Sequence, residues 1–251
     1  MMELQTGLVV AAVFLLAGGV KGVVGLGLPT VSMALLSIWV SPALAAAWLV
    51  LPSLVSNWWQ MRPWAQLGPL LRRIWPMQLG VVVGTLWGAW QFGALASGQA
   101  HRLLGAALMV YAVWGLWGRM PARRWLPANG VWPGLWGAIV GAMTGVVTAL
   151  TGVFVVPAVP YLQSLQLERD ALVQAMGLSV TVSTIALAVS LQQHGGMGAE
   201  QWLASLLWLP PTLVGMWLGE RLRARLSAAT FKRCLFISLL GLGGYMVLRG
   251  L

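Results

Sequence analysis

Lys21-Gly-Val-Val-Gly-Leu-Gly-Leu-Pro-Thr-Val-Ser32 decides how this chain folds. The segment lies in an apolar stretch running from Leu4 to Met61, and no other charged residue occurs between Glu3 and Arg62. A cation at bilayer depth costs about 2.5–3.5 kcal/mol on insertion scales, so it marks a polar path or a binding site. The glycines and Pro29 beside it break helices, because glycine permits turns and proline ends or restarts a helix. Fixed positive charge next to broken backbone predicts a site for an anion inside a membrane protein.

The rest of the composition agrees. The chain has 251 residues, of which 59% are hydrophobic and 8% charged, against roughly 25% charged in soluble domains. Uncharged runs cover 22–61, 74–101, 125–167, 171–199 and 201–219, and several exceed the ~20 residues that span a bilayer. The reading is an all-α polytopic membrane protein; the short alternating segments of a transmembrane barrel are absent. The net charge of +10 does not point to nucleic acid. Twelve of its fifteen Lys and Arg fall between apolar segments or at their rims, where orientation signals belong. Cys234 is the single cysteine, which excludes an intrachain disulfide and is read as a small core residue. The N-terminus lacks a basic leader and cleavage site, so no removable signal peptide is expected. Tryptophans such as Trp58, Trp59, Trp75, Trp125 and Trp202 near segment ends fit interfacial belts.

The sequence repeats itself. Pro29 and Pro157 are 128 residues apart, as are Ala43-Leu44 and Ala171-Leu172. Gly22-Val-Val matches Gly145-Val-Val at an offset of 123, which implies five extra residues in the second copy. Val83-Gly84-x3-Gly88 matches Val214-Gly215-x3-Gly219 at 131, and Arg102 aligns with Arg233 at the same offset. The expected organisation is a first membrane repeat at 1–120, a basic connecting loop at 121–130 and a second repeat at 131–251. Each repeat holds four apolar blocks, near 8–37, 42–60, 74–92 and 101–118, then 131–160, 171–192, 202–219 and 232–249.

The first block of each repeat, about 30 residues, is too long for one plain span and too short for two. If all eight blocks cross once, Lys and Arg divide seven to seven between the two sides. If the 131–160 block dips in and returns, they divide twelve to two, with Arg102 and Arg249 alone on the poorer side. That bias is what the positive-inside rule demands. Repeat symmetry gives the 8–37 block the same broken, re-entrant hairpin. Three crossings plus a hairpin make an odd number, so the halves become inverted repeats; eight simple spans are the alternative.

The candidate site follows from the two broken segments. The first supplies Lys21, Gly22, Gly25, Gly27, Thr30 and Ser32, with Pro29 as the structural break. The second, Thr144-Gly-Val-Val-Thr-Ala-Leu-Thr-Gly-Val-Phe-Val-Val-Pro157, supplies Thr144, Gly145, Thr148, Thr151 and Gly152, with Pro157 as the break. Half-helix N-termini after such breaks present unpaired N–H groups to an anionic oxygen, and the hydroxyls add donors. On the offset of 123, Lys21 pairs with Thr144, so the site is asymmetric. The following blocks carry polar runs, Ser53, Ser56, Asn57 and Gln60 in one and Gln174, Ser179, Thr181, Ser183 and Thr184 in the other. Residues at i, i+3 and i+4 share a helix face, so Asn57 joins the candidate site. His101 and His194 read as solvated loop residues with no metal-ligand spacing. All five acids, Glu3, Glu168, Asp170, Glu200 and Glu220, fall at ends or in loops, so no carboxylate is placed to relay protons. No nucleophile–base pair, metal cluster or phosphate loop is visible; the chain is read as no enzyme, with no metal and no cofactor.

Lys-Gly-x-x-Gly-x-Gly-x-Pro near the N-terminus, with its mid-chain Thr-Gly-x6-Gly-x4-Pro counterpart, resembles the TauE/SafE-type sulfite exporter family along essentially the whole chain. The resemblance implies a multi-pass carrier or channel of the bacterial cytoplasmic (inner) membrane. It implies a small anionic substrate: sulfite, an organic sulfonate, a related sulfur oxyanion or a small carboxylate. Thr148 and Thr151 stand where glycines are common in that family, and their hydroxyls suit an oxyanion. The expected partners are that anion and the lipid bilayer, with no nucleic acid; a homodimer is compatible with this reading. The rival class is a membrane scaffold or assembly subunit packing through Gly84-x3-Gly88 and Gly215-x3-Gly219.

Overall fold

A computed structural model describes residues 2–93, 95, 99–117, 132–223 and 228–249. The described residues are helical, with no strand. In the first half lie α1 (Met2–Val24), α2 (Leu28–Leu36), α3 (Pro42–Gln60), α4 (Leu67–Phe92) and α5 (Ala100–Trp117). In the second lie α6 (Trp132–Thr151), α7 (Ala158–Ser164), α8 (Arg169–Gln193), α9 (Ala199–Leu207), α10 (Leu209–Arg223) and α11 (Ala228–Arg249). Five stretches are long and apolar enough to cross a membrane: 6–24, 134–151, 170–193, 199–223 and 230–248. Large apolar side chains face outward along the helices, among them Leu79, Val83, Leu203 and Leu248. An outer surface of that kind is at home in lipid, where each helix satisfies its own backbone. The chain is a multi-pass helical membrane protein.

Each long first block divides into a long arm and a short arm. α1 stops at Gly25, whose φ of 82° places it in the left-handed region that ends helices, with its N–H donated to Lys21 O at 2.7 Å. α6 stops at Gly152 by the same device, with φ 69° and an N–H donated to Thr148 O at 2.8 Å. The short arms then turn back. Ser37 O, at the end of α2, meets His101 Nε2 at the start of α5 at 3.1 Å. Tyr161 of α7 lies against Gly137 near the start of α6.

Helix directions can be read from contacts in sequence order. α1 and α3 run the same way: Phe14 stacks on Trp208 and Trp48 meets the same ring at a tilt, whereas Lys21 meets Ser56 and Asn57 further along. α1 and α10 are parallel, since Gly18 faces Thr212 and Gly22 faces Met216 and Glu220. α4 and α6 are parallel too, with Gly80 against Ala138 and Gly84 against Ala142. α3 and α8 are antiparallel, because Ser53 meets Thr184 while Gln60 meets Val173 O. So are α5 and α11, where Gly105 faces Gly243 and Gly115 faces Phe236.

The parallel seams need glycine. A Cβ on Gly215 would come within 2.0 Å of Leu15 O, and one on Gly84 within 2.1 Å of Ala142 O. Backbones this close gain dispersion contacts, the main adhesive where lipid competes for every apolar surface. Gly84-x3-Gly88 and Gly215-x3-Gly219 are therefore filled from within the chain. Pro52 inside α3 leaves Trp48 O without its helical donor; Ser205 Oγ of α9 supplies one at 3.0 Å and accepts Leu51 N at 2.9 Å. Gln60 and Gln174 staple the ends of α1, α3 and α8 through Gly25 O, Val173 O, Met61 O and Pro63 O.

One end of the bundle is basic. Arg223, Lys232, Gly25 and Leu172 border a common cavity there, and Arg73 at the start of α4 donates to Leu165 O at 2.9 Å. Arg62 lies 4.0 Å from the Trp59 ring and Arg221 3.7 Å from that of Trp217, cation–π pairs suited to an interface. Arg102 lies at the opposite end. The connecting segment 121–130, with Trp125, lies outside the described residues. Two expectations fail. Cys234 is exposed on α11 rather than in the core, because that helix meets its neighbours on its other face. His101, half-buried in α5, bonds to Ser37 O instead of standing in solvent, whereas His194 is exposed at the end of α8, as expected, with Nδ1 2.7 Å from Ser190 O.

Candidate functional site

Lys21 is in the last turn of α1 and is 5% exposed. Its ammonium donates to Ser56 Oγ at 2.9 Å and to Asn57 Oδ1. An ammonium carries three protons, and among the described residues these two neutral acceptors are its partners. Asn57 passes the link on, donating Nδ2 to Ser53 Oγ at 3.3 Å, and Ser53 Oγ meets Thr184 Oγ1 at 3.2 Å. A buried polar chain thus runs from Lys21 through α3 to α8.

The second half carries its counterpart. Thr148 occupies the place before Gly152 that Lys21 occupies before Gly25, as the paired 2.7 and 2.8 Å helix-ending bonds indicate. Ser183 Oγ donates to Thr148 Oγ1 at 3.3 Å, matching the Lys21–Ser56 bond at a common offset of 127 residues. The seams agree: Gly18 packs on Thr212 and Met216 as Gly145 packs on Val81 and Thr85. The repeat partner of Lys21 is accordingly Thr148, not Thr144. The match of Gly22 with Gly145 at 123 misled because both triplets read Gly-Val-Val while sitting one turn apart on their helices.

The two breaks come together inside the bundle, where Pro29 of α2 and Phe154, two residues after Gly152, share cavity walls. Two small cavities lie beside the breaks, each about 20 Å³: α2 and α7 both border one, and Pro29 of α2 meets α3, α6 and α8 around the other. Pro29, Phe154 and Val180 border both. The one nearer the basic end adds Gly27, Thr30 and Tyr111, and the other adds Thr148, Gly152, Ser183 and Thr184. The start of α2 borders the first cavity without a side-chain cap, leaving N–H groups and the positive end of the helix dipole for an anionic group. Each cavity has room for about one water.

Sequence-selected residues divide by position. Gly27, Pro29, Thr30, Thr148 and Gly152 border the cavities. Lys21 and Asn57 stand behind the wall and reach it through Ser53 and Thr184. Gly25 borders the larger cavity at the basic end. Gly22 and Gly145 face α10 and α4 across the seams. Thr144 is spent on Val140 O, and Thr151 donates to Val147 O while accepting Val153 N. The Ser32 hydroxyl is fully buried and has no partner among the described residues. Pro157 precedes α7 as its cap residue. Phe154, Val180 and Tyr111 escaped the sequence reading, because an apolar residue in an apolar protein carries no signal of its own.

The sulfite exporter TauE/SafE family model matches residues 10–246. The chain belongs to this family. The match includes both breaks, both glycine seams and the polar chain from Lys21 to Thr184. No curated protein and no solved structure matches the chain. Among the described residues, no group of three His, Cys, Asp or Glu side chains could hold a metal ion.

Proposed function

We propose that this member of the TauE/SafE family exports sulfite, or a related organosulfonate or sulfur oxyanion, across a bacterial inner membrane. The observation that carries the reading is the meeting of two broken helices around small cavities, with a buried cation wired to their wall. Family membership supports an anion as cargo. The start of α2 and the hydroxyls of Thr30, Thr148, Ser183 and Thr184 are suited to oxyanion oxygens. Lys21 supplies the positive field. Its partners are neutral, so its charge is not cancelled by a carboxylate.

The two halves are inverted repeats in this reading. Support comes from the paired seams, α1 with α10 and α6 with α4, and from equivalent helices that run antiparallel, α3 with α8 and α5 with α11. Access alternates as the halves exchange conformations. Thr148 now borders the cavity while Lys21 stands behind Ser56 and Asn57; in the exchanged state Lys21 takes the cavity-facing place. Closed cavities of about 20 Å³ favour such a carrier over a pore that conducts in this conformation. The basic end faces the cytoplasm by the positive-inside rule. The chain is no enzyme and needs no cofactor. The scaffold alternative loses support because its glycine faces are occupied inside the chain.

A panel of radiolabelled sulfite, thiosulfate, sulfonates and small carboxylates, loaded into proteoliposomes, tests the reading. Saturable efflux of the sulfur oxyanions is expected. Selective carboxylate efflux would reassign the cargo, and no flux of any anion would favour the scaffold.

A further inference from the structure

A cavity of about 380 Å³ opens at the basic end. Its wall includes Gly25 of the first break, Tyr111 of α5, Gln163 of α7, Val173 of α8, Arg223 of α10 and Lys232 of α11. Leu26, Tyr111 and Val159 also border the first small cavity, so the large chamber abuts the closed passage across these side chains. Arg223 and Lys232 are both exposed, and no described wall residue is acidic. Gln163 adds a polar group to this wall: among the described residues its Oε1 has no hydrogen-bond partner, so the amide is free to turn either its oxygen or its NH₂ to a guest. Tyr111 is 6% exposed, stacked on Trp114 at 6.5 Å and edge-on to Phe236 at 5.1 Å. Those contacts hold its ring at the inner end of the chamber.

We infer that this chamber is an anion-collecting antechamber, a site distinct from the closed passage, in which Arg223, Lys232 and the Gln163 amide hold a small sulfonate or sulfite-like anion before Tyr111 admits it. The inference rests on the reading of the chain as an anion transporter and adds the place and side of loading. Two cations at the mouth of a low-dielectric cleft raise the local concentration of anions and speed their arrival. The effect fades when salt shortens the Debye length to a few ångströms. Long side chains that are exposed and, among the described residues, form no ion pair with a carboxylate are available for this work.

Charge-selective thiol labelling tests the inference without relying on transport. Val173→Cys is introduced into a Cys234→Ser background, and the purified protein is treated with a methanethiosulfonate bearing either a sulfonate or a trimethylammonium group. Relative to a free thiol in solution, the anionic reagent is expected to be favoured. Arg223→Gln with Lys232→Gln should cut its rate about tenfold, with the cationic reagent slowed less or accelerated. In vesicles loaded from the basic side, the same pair should raise KM for sulfite and leave kcat near wild type. Equal reagent rates that ignore the two substitutions would overturn the antechamber even if sulfite flux is robust. Charge-selective labelling in a protein that moves no anion would keep the antechamber and remove the transport reading instead. Unchanged melting of the double variant shows that it folds.

Discussion

Lys21 is stabilised by Ser56 and Asn57 rather than by an acid. Burying a charge against neutral partners is unfavourable unless every bond is made, so removing a partner and removing the charge should differ in sign. Asn57→Leu should lower stability by about 1–3 kcal/mol, the penalty for leaving a buried donor unpaired. Lys21→Met, similar in volume, should be neutral or stabilising, as replacements of buried ions by apolar residues often are. In the double variant the loss seen with Asn57→Leu should shrink, and thermal melts of the four proteins in detergent measure the coupling. Additive effects would mean that the pair does not interact. Gly152 makes a second case, because its φ of 69° is strained for any side chain and a Cβ would come within 2.6 Å of Met33 Cε. Gly152→Ala should therefore lower melting temperature and flux together. The burial of Lys21 could be read from sequence because a lone charge in the middle of a long apolar run has no nearby end to reach. The place of Tyr111 and Phe154 at the small cavities could not, because an apolar residue in an apolar run gives no sign of which wall it will join.

At the level of helices, the glycine seams bear the packing. Gly215→Val puts carbon into the space of Leu15 O, which is backbone and cannot swing away. The helices must separate, and the protein should aggregate or lose several degrees of melting temperature on extraction. Gly244→Ala, on α11 with nothing within 4 Å, should be tolerated, gaining about 0.5–1 kcal/mol of helix propensity. Equal damage from both would show that glycine content, not the seam, matters. The helix limits were legible in outline: the 42–60 block coincides with α3, and 101–118 differs from α5 by one residue at each end. Hydropathy revealed the long first blocks but could not divide them into unequal arms. That division follows from where Gly25 and Gly152 reach positive φ, a choice that many other glycines could have made.

Across the whole molecule, the account commits to two halves of opposite direction and one basic face. A cysteine at Gln166, after α7, should label from the same side as one at Arg62, and one at Gln99, before α5, from the other. Labelling of Gln166→Cys together with Gln99→Cys would return the chain to eight simple crossings. The proposed duplication rests on sequence matches whose register at the first break differs by four residues from the one the seam contacts favour, because Gly-Val-Val recurs by composition. The central claim joins all three scales: a buried ammonium makes a closed, broken-helix passage selective for a small oxyanion. Radiolabelled sulfite efflux from proteoliposomes containing wild type or Lys21→Met tests it most directly. The account predicts saturable efflux in the wild type and background efflux in a variant that melts at or above the wild-type temperature. Wild-type efflux rates in Lys21→Met would contradict it.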